Sequence, residues 1–191
     1  MSGLRLYPRL LGDAWHALAE PIRACYDAAP RLVASGRFQV THARSWLARV
    51  AITIARMPRA GDDVALRLEV RAHEDHQVWE RDFDDFRMTT TQYLLPDGRM
   101  VERRGPIELL FHVTVDDGAV VYRPAGMRLR LWRVSFRVPS WCGPSIRGKT
   151  WCEPGDRRMH VHIAIAVPFL GLIVSYGGAI ERVDDYDVGP R

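Results

Sequence analysis

The sequence predicts a mainly β domain of α+β type. Its body is an antiparallel meander of about ten strands, closed into a barrel or a strongly curved sheet, with two helical regions on the N-terminal side. Two observations carry this. Along 107–115, Ile107, Leu109, Phe111, Val113 and Val115 fall on one face, while Glu108, His112 and Thr114 fall on the other, with Leu110 the exception. That period of two is a half-buried strand. Turn chemistry then recurs at short intervals: Leu95-Pro96-Asp97-Gly98 and Asp116-Asp117-Gly118 both suit tight reversals. A single antiparallel sheet of this size must curl or close to bury its apolar face and hide its edges.

Taken in order, residues 1–12 read as a lead-in and 13–60 as helices with a first strand. Residues 61–183 read as the meander and 184–191 as a polar tail, all within one domain of 1–191. Asp13 is placed to cap a helix with the stripe Trp15, Leu18, Ile22, Cys25 and Tyr26, which Pro21 divides in two. Ser35-Gly36 reads as a turn before a short strand from Arg37 to Ala43. Ser45 caps a second helix, which Pro58 stops. Its apolar face is Trp46, Leu47, Val50, Ile54 and Met57, expected to cover the sheet or plug one end of a barrel rather than lie on a membrane. Residues 127–138 form one long strand that changes phase near Trp132, as a bulge would.

With 47% hydrophobic and 26% charged residues, the 191-residue chain has the composition of an ordinary globule. The net charge of +4 comes almost wholly from arginine, since Lys149 is the only lysine. No basic patch interleaved with aromatics concentrates that charge, so no nucleic-acid partner is expected. Three widely spaced cysteines, Cys25, Cys142 and Cys152, argue against a disulfide framework and offer no zinc-ligand pair. Neither a signal peptide nor an apolar run long enough to span a bilayer is visible, and a cytoplasmic protein is expected.

Several short pieces resemble a bacterial family of domains of unknown function, whose members sometimes sit behind NAD(P)-binding Rossmann-type domains. They are Leu11-Gly12-Asp13-Ala14-Trp15, Trp79-x-Arg81-x-Phe83, Glu102-Arg103-x-Gly105-Pro106, Val138-Pro139 before Pro144, and Leu170-Gly171-Leu172 with Tyr176 and Gly178. The resemblance implies no activity. Where the family is expected to have His at the end of the first helical region, this chain has Tyr26, so no role carries over there. The Gly-rich fingerprint of a dinucleotide-binding domain is missing, and no cofactor is expected.

Aromatics are the leading site candidates. Trp79, Phe83, Phe86, Met88, Tyr93, Phe111, Trp132, Phe136 and Tyr176 all lie on predicted strands. They either line a ligand cavity or fill a solid core, which use the same residue types. His160 and His162 lie two apart on a strand, about 6.6 Å along it, and could hold a metal with His112, Asp82 or Glu102 as a third ligand. The plainer reading puts these histidines on the outer face, and it is the one adopted. Asp82, Asp84, Asp85 and Glu102 could supply paired carboxylates, but Glu102 reads better as an ion-pair partner of Arg81 or Arg103.

The expected role is non-catalytic binding of a small, largely apolar, lipid-like ligand in the barrel. The alternative is an interaction module beside a redox or membrane-associated partner, and an enzyme comes third. Phe169 and Leu170 lie at the turn of a late hairpin. That apolar tip either folds under Trp15 and the N-terminal helices or makes an external contact, with a second copy or with a membrane surface.

Overall fold

The structure is a computed structural model that describes residues 5–28, 30–84, 86–132 and 134–182. Three short α-helices, α1 (Leu6–Leu11), α2 (Glu20–Tyr26) and α3 (Trp46–Ala55), accompany eleven strands. These are β1 (Arg31–His42), β2 (Gly61–Ala72), β3 (Gln77–Phe83), β4 (Phe86–Leu94), β5 (Met100–Arg104), β6 (Ile107–Asp116), β7 (Ala119–Leu131), β8 (Val134–Val138), β9 (Ser145–Trp151), β10 (Met159–Val167) and β11 (Gly171–Arg182). Every pairing is antiparallel, and β1 to β7 with β9 to β11 form a closed ten-stranded ring. β8 lies outside the ring as a partner of β7.

Closure depends on small residues where the first and last strands meet. Gly36 pairs with Ile180, and Phe38 with Gly178. A Cβ on Gly36 or on Gly178 would sit well inside 3.0 Å of a carbonyl oxygen, that of Ala179 or of Arg37 respectively. Ser35-Gly36 is therefore not a turn. It lies inside a twelve-residue strand, and the glycine is there for close backbone approach.

The N-terminal residues plug one end of the barrel. Leu6 and Tyr7 are fully buried, with Ile22, Cys25 and Tyr26 beside them in the core. Residues 6–11 are thus a helix rather than a lead-in. Leu6, Tyr7, Leu10 and Leu11 recur four apart, which places one face on the core. Asp13 makes no capping bond; it lies in a 3₁₀ segment, Gly12–Ala17, and Pro21 occupies the first turn of α2 as expected.

At the other end, α3 crosses the barrel mouth. Ser45 Oγ accepts from the Ala48 amide at 3.2 Å, and Arg56 ends the helix in the left-handed region. Of the expected apolar face only Met57 packs inward. Ala48 and Ile52 are buried against Ile165, Ile173 and Val174, whereas Trp46, Leu47, Val50 and Ile54 face outward. Small residues let the helix sit close to the strand ends, which leaves the large ones outside.

The same end carries two protruding turns. Leu131 pairs with Val134, so residues 127–138 are a hairpin with its tip at Trp132, not a bulged strand. Trp132 has φ 57° and Phe169, at the β10–β11 turn, φ 66°. These side chains are 97% and 95% exposed. Phe169 therefore lies at the opposite end from Trp15, while Leu170 packs partly beside α3. The expected tail, 184–191, lies outside the described residues.

Candidate functional site: the barrel cavity

Alternation decides what faces inward. On β3, Trp79, Arg81 and Phe83 point into the barrel; on β4, Met88, Thr90 and Gln92; on β5, Glu102 and Arg104. The space they enclose is a cavity of ≈ 320 Å³ that runs from Tyr7 and Tyr26 at the plug to Ala51, Ala55 and Met57 under α3. Its walls are mostly aliphatic and aromatic, and its volume is of the size that holds one small ligand.

The plug end has a polar floor. Tyr122 Oη lies 3.0 Å from Tyr7 Oη and 2.7 Å from Tyr26 Oη. Tyr7 donates to Gln92 Oε1 at 2.9 Å, and Tyr26 Oη is 2.9 Å from Thr150 Oγ1. One orientation uses each proton once: Thr150 to Tyr26 to Tyr122 to Tyr7 to Gln92. The rings stack as well, Tyr7 on Tyr26 at 4.1 Å. Burial raises the Tyr7 and Tyr122 hydroxyls well above the ordinary tyrosine value and pushes Tyr26 to about 12, so all three are neutral donors.

The middle of the cavity is charged. Arg81 Nη1 donates to Thr90 Oγ1 at 2.9 Å and to Glu102 Oε1 at 3.0 Å, and Thr90 Oγ1 donates to the same carboxylate oxygen at 2.7 Å. The guanidinium lies 5.1 Å from the Trp79 ring centroid. Burial pulls Arg81 down, but the Glu102 charge and nearby tyrosine hydroxyls more than offset that and hold it charged. Its Nε and Nη2 meet no acceptor among the described residues. Nor does the Tyr176 hydroxyl take a hydrogen bond among them. Burial pushes that hydroxyl to about 12, against the pull of the Arg81 charge. At the mouth, Arg104 spends Nη1 and Nη2 on the Ala55 and Arg56 carbonyls at 2.9 and 3.0 Å, tying down the end of α3.

Of the nine aromatic and Met candidates, Trp79, Phe83, Met88, Phe111 and Tyr176 line the cavity. Phe86 faces inward but sits at the rim under Arg104, 5.7 Å away, outside the cavity wall. Tyr93 is one residue out of phase with Gln92, points outward and donates to Glu108 Oε1 at 3.1 Å. Trp132 and Phe136 stand exposed on the β7–β8 hairpin, because that hairpin projects beyond the ring. His112 and His162 face outward, and His160 Nε2 lies 2.8 Å from Asp156 Oδ2 while its ring stacks on Trp151. Among the described residues, no three His, Cys, Asp or Glu side chains gather as a metal site would need. Asp82 pairs outside with Arg87 at 2.6 Å, and Glu102 is the ion-pair partner of Arg81, two strands away with Thr90 between.

Sequence reasoning missed the polar interior: Tyr7, Tyr26, Tyr122, Thr90, Gln92 and Thr150. Part of the signal was present, since Thr90 and Gln92 share the phase of Met88 on β4. Tyr26 proves to be an interior hydroxyl in the floor network. Some of the pieces that carried the family resemblance meet at the same cavity, through Trp79, Arg81, Phe83, Glu102 and Tyr176, while Leu11-Gly12-Asp13-Ala14-Trp15 lies outside its lining.

A mainly β barrel with an internal cavity defines the class. Residues 18–180 match the family described as a domain of unknown function, DUF4166, and the chain belongs to that family. No curated protein and no solved structure matches it.

Proposed function

We propose that the protein binds, without a chemical step, a small and largely apolar molecule carrying one acceptor group, favourably a carboxylate. The carrying observation is the mismatch inside the cavity. Its floor network is saturated, yet Arg81 Nε and Nη2 and the Tyr176 hydroxyl remain unspent in a space walled by apolar side chains. Donors that face an apolar space without an acceptor are poorly solvated, so a ligand acceptor there gains more than it would in water. The charged lining residues are Arg81, Arg104 and Glu102, which leaves one positive charge for an anionic head to meet.

The test compares a long-chain fatty acid with its methyl ester, by isothermal titration and by native mass spectrometry of the purified chain. The acid binds saturably and at least tenfold tighter than the ester. Tyr176→Phe weakens the acid by about tenfold, the worth of roughly one hydrogen bond to a charged group. Filling the space with Ile163→Trp removes binding of both. A second reading, an interaction module beside another protein, draws on the exposed apolar residues at the α3 end. It predicts no saturable binding across a broad apolar panel.

A further inference from the structure

Every large apolar side chain that stands exposed among the described residues lies at one end of the barrel. They belong to three segments around the α3 mouth: α3 itself, the β7–β8 hairpin with the loop after it, and the start of β11 with its turn. Foremost are Trp46, Ile54, Trp132, Trp141, Phe169 and Leu172. Two of them make the pattern specific. Trp132 and Phe169 occupy turn apices with positive φ, where a bulky residue is disfavoured and glycine or asparagine is the ordinary choice. A large aromatic ring held in a strained turn and almost wholly in water contributes nothing to the fold. α3 repeats the pattern: it is apolar on both faces, and only the small-residue face is covered.

Charge says what covers this end. From Gly126 to Arg147 the chain has five arginines and no carboxylate, and of these Arg130 pairs with Glu108. The stretch from Ala43 to Ala60, which includes α3, has four arginines and no carboxylate. Arg44, Arg49, Arg56, Arg137 and Arg147 are exposed, and none pairs with a carboxylate among the described residues. Of the nearby acids, Asp62 and Asp63 are engaged by Gln39 and Arg37, and Asp84 is exposed at the β3–β4 turn, so the arginines outnumber the acids left over. Separate aromatic and aliphatic protrusions set among unpaired arginines match the acyl–headgroup boundary of an anionic bilayer.

We infer that the α3 end docks on an anionic membrane surface, with Trp132, Phe169 and the outer face of α3 dipping into the interface and the arginines meeting the headgroups. The cavity begins directly beneath α3. Docking thus sets the mouth against the phase in which a lipid-like ligand dissolves. The docking stands on the surface alone and holds whether or not the cavity reading does.

The test is flotation of the full chain with phosphatidylcholine vesicles, with and without one-third phosphatidylglycerol, read also by tryptophan emission. The protein binds the anionic vesicles with a blue shift, binds neutral ones at least tenfold more weakly, and is released by high salt. The double variant W132G/F169G relieves the positive-φ strain and touches no core contact, so its thermal midpoint does not fall. It loses at least tenfold in vesicle binding yet binds the fatty acid in detergent-free solution as the parent does. W46S/I54S on α3 behaves likewise. No binding to either vesicle, equal binding by both double variants, or a parent dimer that W132G/F169G converts to monomer without vesicle binding would each overturn the inference. Loss of fatty-acid binding with vesicle binding intact would instead strike only the cavity reading.

Discussion

Two tyrosines that line the barrel cavity should respond in opposite ways to the same change. Tyr122 Oη donates to Tyr7 at 3.0 Å and accepts from Tyr26 at 2.7 Å, while the Tyr176 hydroxyl has no partner among the described residues. Tyr122→Phe removes two neutral hydrogen bonds, each worth about 1 kcal/mol net, and leaves a Tyr26 proton without its acceptor. The expected loss is about 1–3 kcal/mol, or roughly 3–10 °C in thermal midpoint for a chain of this length. Tyr176→Phe removes an oxygen that faces the cavity unbonded, so stability stays within about 0.5 kcal/mol or rises. Urea unfolding of the ligand-free protein measures both, provided the midpoint moves at constant slope. If the two variants cost the same, or if Tyr122→Phe costs nothing, the distinction between a saturated floor and an unspent middle is wrong. The same Tyr176→Phe protein then goes to the fatty-acid titration, where it loses affinity that it did not lose in stability.

Gly178→Ala brings a Cβ against the Arg37 carbonyl at the closing seam and should cost at least about 2 kcal/mol, read by urea midpoint, because backbone and not a flexible side chain must give way. In base, the folded Tyr26 and Tyr176 titrate near 12 against an ordinary 10. Stability from these neutral phenols is full below pH 10 and is lost between about pH 10 and 12; phenolate absorbance of the native protein lags that of the urea-unfolded chain, and coincident curves would refute the burial. Arg104→Leu frees the Ala55 and Arg56 carbonyls and loosens α3, so stopped-flow quenching by an apolar probe should show faster entry and exit with less change in equilibrium affinity.

The barrel was legible because its evidence is periodic. Each strand alternates, turn residues punctuate them, and an antiparallel sheet of that many strands has few ways to hide its edges. The inward set on β3 and β4 followed from the same alternation, which is why Trp79, Phe83 and Met88 were found. Other features have no local period. Trp132 looks like a strand residue, and only the pairing of Leu131 with Val134 shows that it caps a projecting hairpin. α3 presents a larger apolar stripe than it buries, and a helical stripe does not say which side the protein faces. The tyrosine floor joins Tyr7 to Tyr122 across 115 positions and Tyr26 to Thr150 across 124, so no window of sequence contains it. Gly36 signals a turn or a close approach with the same residue, and the choice rests on β11, at the far end of the chain.

The seam between β1 and β11 also sets the order of events during folding. β1 sits between β2, its near neighbour in sequence, and β11, the last strand. Neither the ring nor the tyrosine floor can be completed until the C-terminal strands have been made. A chain emerging from the ribosome therefore holds an open, curling sheet with both edges unpaired until β11 has been made. Loop-closure entropy for so distant a pair makes the final zip slow compared with the local hairpins. The interior stays open to solvent until that zip.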